Sequence, residues 1–268
     1  MFTNTRRWLV LPVVLLIAGL GLFAFACDDD DDGGGASQEE IQEVEDLVRQ
    51  LFGTDPTDQA AADFAFEHVT DNLIENVFFS TREECMANAV DCLGEPVPVE
   101  SVSNTAIDGD TASTEVIAEF GAFQAGLVRE DDVWKADSLQ ALSDELPEGA
   151  VAVDLSLTEF AFTLDAAQIP AAGSDWGFHV SNDGDQVHEA AVAAIPDDVT
   201  LEEALELDLE AAVVGLKLYI APGQEVDMAF DQPLEAGRYM LVCFFPDTDD
   251  PEGTPHAFKG MLSEFTIE

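Results

Sequence analysis

The sequence predicts an α+β domain followed by an all-β sandwich, and three observations carry the prediction. A length of 268 residues suits two domains, and 47% hydrophobic residues provide for sizeable cores. From residue 37 the apolar residues recur at helical spacing and then, past Pro96, at strand spacing. Beyond residue 150 the period of two takes over. The expected boundaries are a signal over 1–26, a tether over 27–36, an α+β domain over 37–140, a linker over 141–149 and the sandwich over 150–268.

The N-terminus is an address. The first 26 residues hold Arg6 and Arg7, no acid, and an apolar run from Trp8 to Ala26. Ala24-Phe25-Ala26-Cys27 resembles a bacterial lipobox, which implies that Cys27 is lipidated and begins the mature chain. An uncleaved membrane anchor is the alternative, because the run is 19 residues long. Either way the chain is expected outside the cytoplasm, held at the membrane. Asp28 to Asp32 and Gly33 to Gly35 read as a solvated tether.

Within 37–140, Ser37 and Glu40 form a capping-box pattern ahead of Ile41, Val44, Leu47, Val48 and Leu51, with Gly53 as the stop. Further helix is expected near 60–79 and 82–89. Strands follow over 99–107, 111–120, 122–129 and 133–137, separated by turns at Asp108-Gly109 and Glu130-Asp131-Asp132. Helices first and then a meander, ending in Leu127-Val128-Arg129-Glu130-Asp131-Asp132-Val133-Trp134-Lys135-Ala136, resemble the nuclear-transport-factor-2-like family. That resemblance implies a cone-like α+β fold, whose members include both enzymes and inactive copies. Asp63 and His68 are the acid/base candidates here; the other reading places both on solvated helix faces.

Gln140 to Gly149 is polar, with Pro147. Past it, Val151, Val153, Leu155 and Leu157 alternate with smaller or polar residues. Trp176, Phe178 and Val180 repeat the pattern, as do Val226 and Met228, and then Tyr239 and Leu241. Thr200 to Glu206 reads as a capped helical insertion, and His179 as a structural residue on the opposite strand face.

Three segments carry chemistry: Asn182-x-Gly184-x3-His188-Glu189, Gly237 to Cys243, and His256-Ala257-Phe258-Lys259-Gly260-Met261. Together they resemble the cupredoxins, the blue-copper family. The resemblance implies a Greek-key sandwich and one copper ion held by His188, Cys243 and His256, with Met261 as a weak axial thioether. Two imidazoles and a thiolate serve both copper oxidation states, and the same donors suit zinc. Twelve residues stand between Cys243 and His256, more than the family usually has. That insert either bulges outward from anchored ends or pulls His256 off the metal.

Cysteine parity agrees: with Cys27 spent on lipid, Cys85 and Cys92 are expected to pair in an oxidising compartment, flanking one short helix, and Cys243 stays a thiol. Nine basic residues against 56 acidic give a net charge of -47, which excludes nucleic acid and favours cations, metals or basic partners. The expected function is electron transfer or copper handling by a lipid-anchored protein working with a redox partner protein. The alternatives are a metal-free binding module taking a protein or cationic ligand, and an enzyme using the cone pocket.

Overall fold

Ser37 starts the first helix by accepting the Glu40 N–H while the Glu40 carboxylate reaches back to the Ser37 N–H. A computed structural model describes residues 36–118, 121–207, 212–250 and 252–268. The signal and Cys27 therefore lie outside the described residues. Helix α1 (Gln38–Phe52) buries Val44, Leu47 and Val48, the stripe its spacing predicts. Helix α2 (Gln59–Glu67) stops at His68, and Thr70 caps a separate α3 (Asp71–Val77), so the stretch expected over 60–79 is two helices. The break is tertiary: Thr70 N–H donates to Ala136 O and Ala136 N–H to His68 O, which draws 68–70 onto the sheet.

Cys85 and Cys92 sit on two short helices, α4 (Arg82–Ala87) and α5 (Ala89–Leu93), rather than flanking one. They are disulfide-bonded with Cα atoms 5.1 Å apart, and Cys243 is free and buried. Strands β1 (Val99–Asp108), β2 (Thr111–Ala118), β3 (Gly121–Glu130) and β4 (Val133–Ala141) form an antiparallel meander in that order. Its inner face, including Val116, Phe123, Leu127 and Trp134, packs on α1 to α3. Between them lies an apolar cavity of about 160 Å³ lined by Leu51, Phe52, Leu73, Phe78, Leu139 and Tyr219 among others.

The sandwich expected from residue 150 onward is present as two four-stranded sheets. One runs β10 (Glu225–Ala229), β7 (Trp176–Asn182), β5 (Val151–Thr158) and β6 (Ala161–Leu164), with β5 parallel to β7. The other runs β12 (Leu262–Ile267), β11 (Gly237–Val242), β8 (His188–Ile195) and β9 (Val213–Ile220), all antiparallel. Helix α6 (Leu201–Ala204) fills the β8–β9 connection behind its Thr200/Glu203 capping box. Between the sheets Trp176, Phe178, Phe230 and Phe265 meet edge to face at 4.9 to 6.2 Å. Each such pair adds about 0.5–1.5 kcal/mol beyond simple burial.

The meander and the sandwich share one compact unit spanning Gly35–Glu268. Lys217 on β9 is buried, with Nζ on Leu142 O and Asp144 Oδ1, so the segment expected as a linker is pinned to the sandwich. A bulge on β9 sets Tyr219 at φ +58° and turns its ring toward the meander, against Phe123 and Phe245.

Candidate metal centre

Two neighbouring strands and one loop bring the predicted ligands together. His188 opens β8, Cys243 directly follows β11, and the two strands pair through Val242 and Ala191. His256 begins the short helical turn His256–Lys259. All three side chains are fully buried.

Their donor atoms converge. His188 Nδ1 lies 3.1 Å from His256 Nδ1, and Cys243 Sγ lies 3.5 Å from His256 Nδ1 and 3.9 Å from His188 Nδ1. A point equidistant from these three atoms is about 2 Å from each, close to the length of a metal–imidazole or metal–thiolate bond. Among the described residues this is the one cluster of metal-ligating groups of its kind. Met261 is fully buried beside it, tied by its N–H to His256 O and by its carbonyl to the Cys243 N–H.

The insert does not displace His256. Its ends are joined by a bridge between Pro246 and Pro255, and His256 N–H donates to Phe245 O at 2.8 Å while Ala257 N–H donates to Cys243 O at 2.8 Å. The ends of the insert are thus anchored, and His256 stays beside Cys243 and His188.

Surrounding groups fix the His256 ring and crowd the His188 ring. The Gln186 carboxamide donates to Asp247 Oδ1 at 2.7 Å and accepts the Thr248 N–H at 2.9 Å. A carboxylate only accepts and an amide N–H only donates, so this orientation of the carboxamide is forced. Its oxygen therefore faces His256 Nε2, 3.2 Å away, which must carry the proton and leave Nδ1 bare. On the other ring, His188 Nε2 is buried without a hydrogen bond, 3.6 Å from Glu159 Oε1. Glu159 Oε1 is held by the N–H groups of Asp185 and Gln186, and Gly184 permits this because a Cβ there would run into that carboxylate. Asn182, also buried, clamps the loop by donating to Gln186 O and Ile220 O, both at 2.8 Å.

Electrostatics keep the donors neutral until a cation arrives. Burial, and then the neighbouring His256, lower the His188 pKa to about 4, and burial lowers that of His256. Both rings thus offer lone pairs at neutral pH. Burial, reinforced by Glu189, pushes the Cys243 thiol up to about 12. Its proton leaves only in exchange for a bound metal. The Glu189 N–H points at Cys243 Sγ from 3.4 Å and stabilises a thiolate there.

The remaining candidates fall elsewhere. Asp63 accepts from Gln59 Nε2 at 2.7 Å, and His68 Nδ1 donates to Phe64 O at 2.8 Å, so each is spent on its own helix. His179 pairs with Asp227 on the neighbouring strand. Sequence reasoning missed Gln186, Glu159 and Asp247. The available signal was the neutral Gln186 amid acidic residues, two positions before His188.

Comparison with known proteins is sparse. No family model matches the chain, and no curated relative does. Among solved structures, dithionite-reduced auracyanin from the photosynthetic bacterium Roseiflexus castenholzii is similar at 19% identity over 45% of this chain and 99% of that one, with a TM-score of 0.31. Auracyanin B is similar at 16% identity over 48% and 94%, with a TM-score of 0.31. Auracyanin A, a blue copper protein from the green thermophilic photosynthetic bacterium Chloroflexus aurantiacus, is similar at 15% identity over 45% and 100%, with a TM-score of 0.32.

Proposed function

We propose that residues 150–268 form a cupredoxin-like domain that holds one copper ion at His188, Cys243 and His256, with Met261 as a weak axial ligand, and that the protein transfers electrons or handles copper outside the cytoplasm. The observation that carries this reading is the convergence of the His188 and His256 Nδ1 atoms and the Cys243 sulfur, within 3.9 Å of one another in a fully buried pocket. Bound there, copper supplies one-electron chemistry, since the donor set serves both of its oxidation states. The chain supplies rigidity: Gln186 holds one imidazole, the Asn182 clamp and β8 hold the other, and strand pairing holds the sulfur. Ligands that barely move suit an electron carrier.

The Cys85–Cys92 disulfide supports an oxidising compartment, in keeping with export and lipidation at Cys27. Phe244 and Phe258, 38% and 63% exposed, flank Cys243 and His256 and support docking of a redox partner beside the centre. The cavity between α1–α3 and the meander supports a nuclear-transport-factor-2-like reading of residues 37–140.

Copper loading tests the metal. One equivalent of Cu(II) should give an intense visible thiolate-to-copper band that Cys243→Ser abolishes. A colourless protein after loading contradicts a copper–thiolate centre, and uptake of zinc alone would place the same ligands in a structural site.

A further inference from the structure

Both imidazoles of the centre are shut off from solvent, and the contacts that hold His256 can be traced outward from its ring. The 244–255 excursion is anchored at Asp247, which is buried although it is a carboxylate. Asp247 Oδ1 accepts from Gln186 Nε2 and from the Asp249 N–H, and Oδ2 accepts from Lys259 Nζ at 2.5 Å. Lys259 also reaches Asp250 Oδ2 at 2.6 Å and lies over the Phe160 ring, whose edge meets His256 at 5.4 Å. In a chain with nine basic residues against 56 acidic, one of the few lysines is thus spent on tying this excursion down, three positions beyond His256.

Every polar atom of Gln186 is used. Its N–H donates to Glu159, its carbonyl accepts from Asn182, its amide nitrogen donates to Asp247, and its amide oxygen accepts from Thr248 and His256. The relay runs from Lys259 through Asp247 and Gln186 to His256 Nε2, and each link has only one workable donor–acceptor assignment.

We propose that Gln186 is the positioning residue for His256, and that residues 244–250, moored through Asp247 and Lys259, form a fixed cap that locks the His256 tautomer and keeps water and small metal scavengers from that ring. The effect on metal retention rests on the copper reading above; the lock on the imidazole does not. Partners that orient a ligating histidine are worth about 10–100-fold in metal affinity.

The test uses the full chain labelled with ¹⁵N-histidine, in wild type, in Gln186→Met, which keeps the reach without polar atoms, and in Asp247→Ala, which loosens the mooring and removes the acceptor of the Gln186 amide but leaves the Gln186 oxygen in place. In the metal-free wild type, NMR should show His256 protonated at Nε2 only, with a proton slow to exchange. Gln186→Met should mix the tautomers and speed that exchange at least about tenfold, and Asp247→Ala should do so less. With Cu(I) loaded, transfer to bathocuproine disulfonate should quicken about 10–100-fold in Gln186→Met. A folded Gln186→Met with unchanged tautomer and exchange overturns the proposal, as does a mixed tautomer with unchanged copper release. If wild type takes up no copper, the copper reading falls, and the NMR result alone decides the cap. Should Gln186→Met not fold, Asp247→Ala decides in the same way.

Discussion

The two halves of the molecule bury different things. Around the helices and the meander, the buried polar residues among those described are the threonines Thr54, Thr70 and Thr114. The sandwich buries Asn182, Gln186, His188, Glu189, Lys217, Asp247 and His256, and all but Lys217 cluster at one end around Cys243. Burying such groups costs stability unless each is paired. One half therefore keeps a low-cost apolar core with a cavity, and the other tolerates an expensive polar cluster because its aromatic core supports it.

That contrast predicts where truncation hurts most. Phe178 is fully buried against Trp176, Phe230 and Phe265, so Phe178→Ala should cost about 3–5 kcal/mol in denaturant unfolding. Leu73, which lines the existing cavity, should cost about 2 kcal/mol on truncation to alanine, at the low end for leucine. Equal costs would erase the difference between the cores.

Removing the disulfide sharpens the comparison from the helical side. Cys85 and Cys92 are seven positions apart, a short loop, so Cys85→Ala with Cys92→Ala should cost about 2 kcal/mol. The expected consequence is a lower Tm with an unchanged metal site, read from the same copper titration in both proteins. A loss of copper uptake would mean that the two halves are not energetically separable.

The smallest effect concerns His179. Its hydrogen bond to Asp227 raises its pKa above the usual value of about 6.5, and burial opposes this only in part. A raised folded-state pKa gives stabilisation that is complete below the unfolded value and lost as pH rises through the folded one. Both side chains are more than a third exposed, so solvent screening keeps the gain small. In an NMR titration of the metal-free protein with rising pH, His179 should lose its proton well after His188 and His256. Asp227→Asn should bring it back toward the ordinary value; no change would remove the pair as its cause.

What the sequence made legible follows the range of the forces involved. Local signals were readable: the Ser37 and Thr200 caps, the stripe of α1, and the alternation in β5 and β7, whereas β11 is buried on both faces from Tyr239 to Val242. The four ligand positions came from resemblance and chain order, and the structure brings three donor atoms within 4.8 Å of one another. The break between α2 and α3 was invisible because it depends on Ala136, far along the chain. Gln186 and Asp247 escaped for the same reason. They are 61 residues apart, and nothing in the residues around either one signals the other.

X-ray absorption at the copper edge of the loaded protein tests the central claim most directly, because it counts the atoms around the metal. Two nitrogens and one sulfur at about 2 Å are the expected result, with the sulfur lost in Cys243→Ser. A shell of nitrogen and oxygen alone would contradict the account.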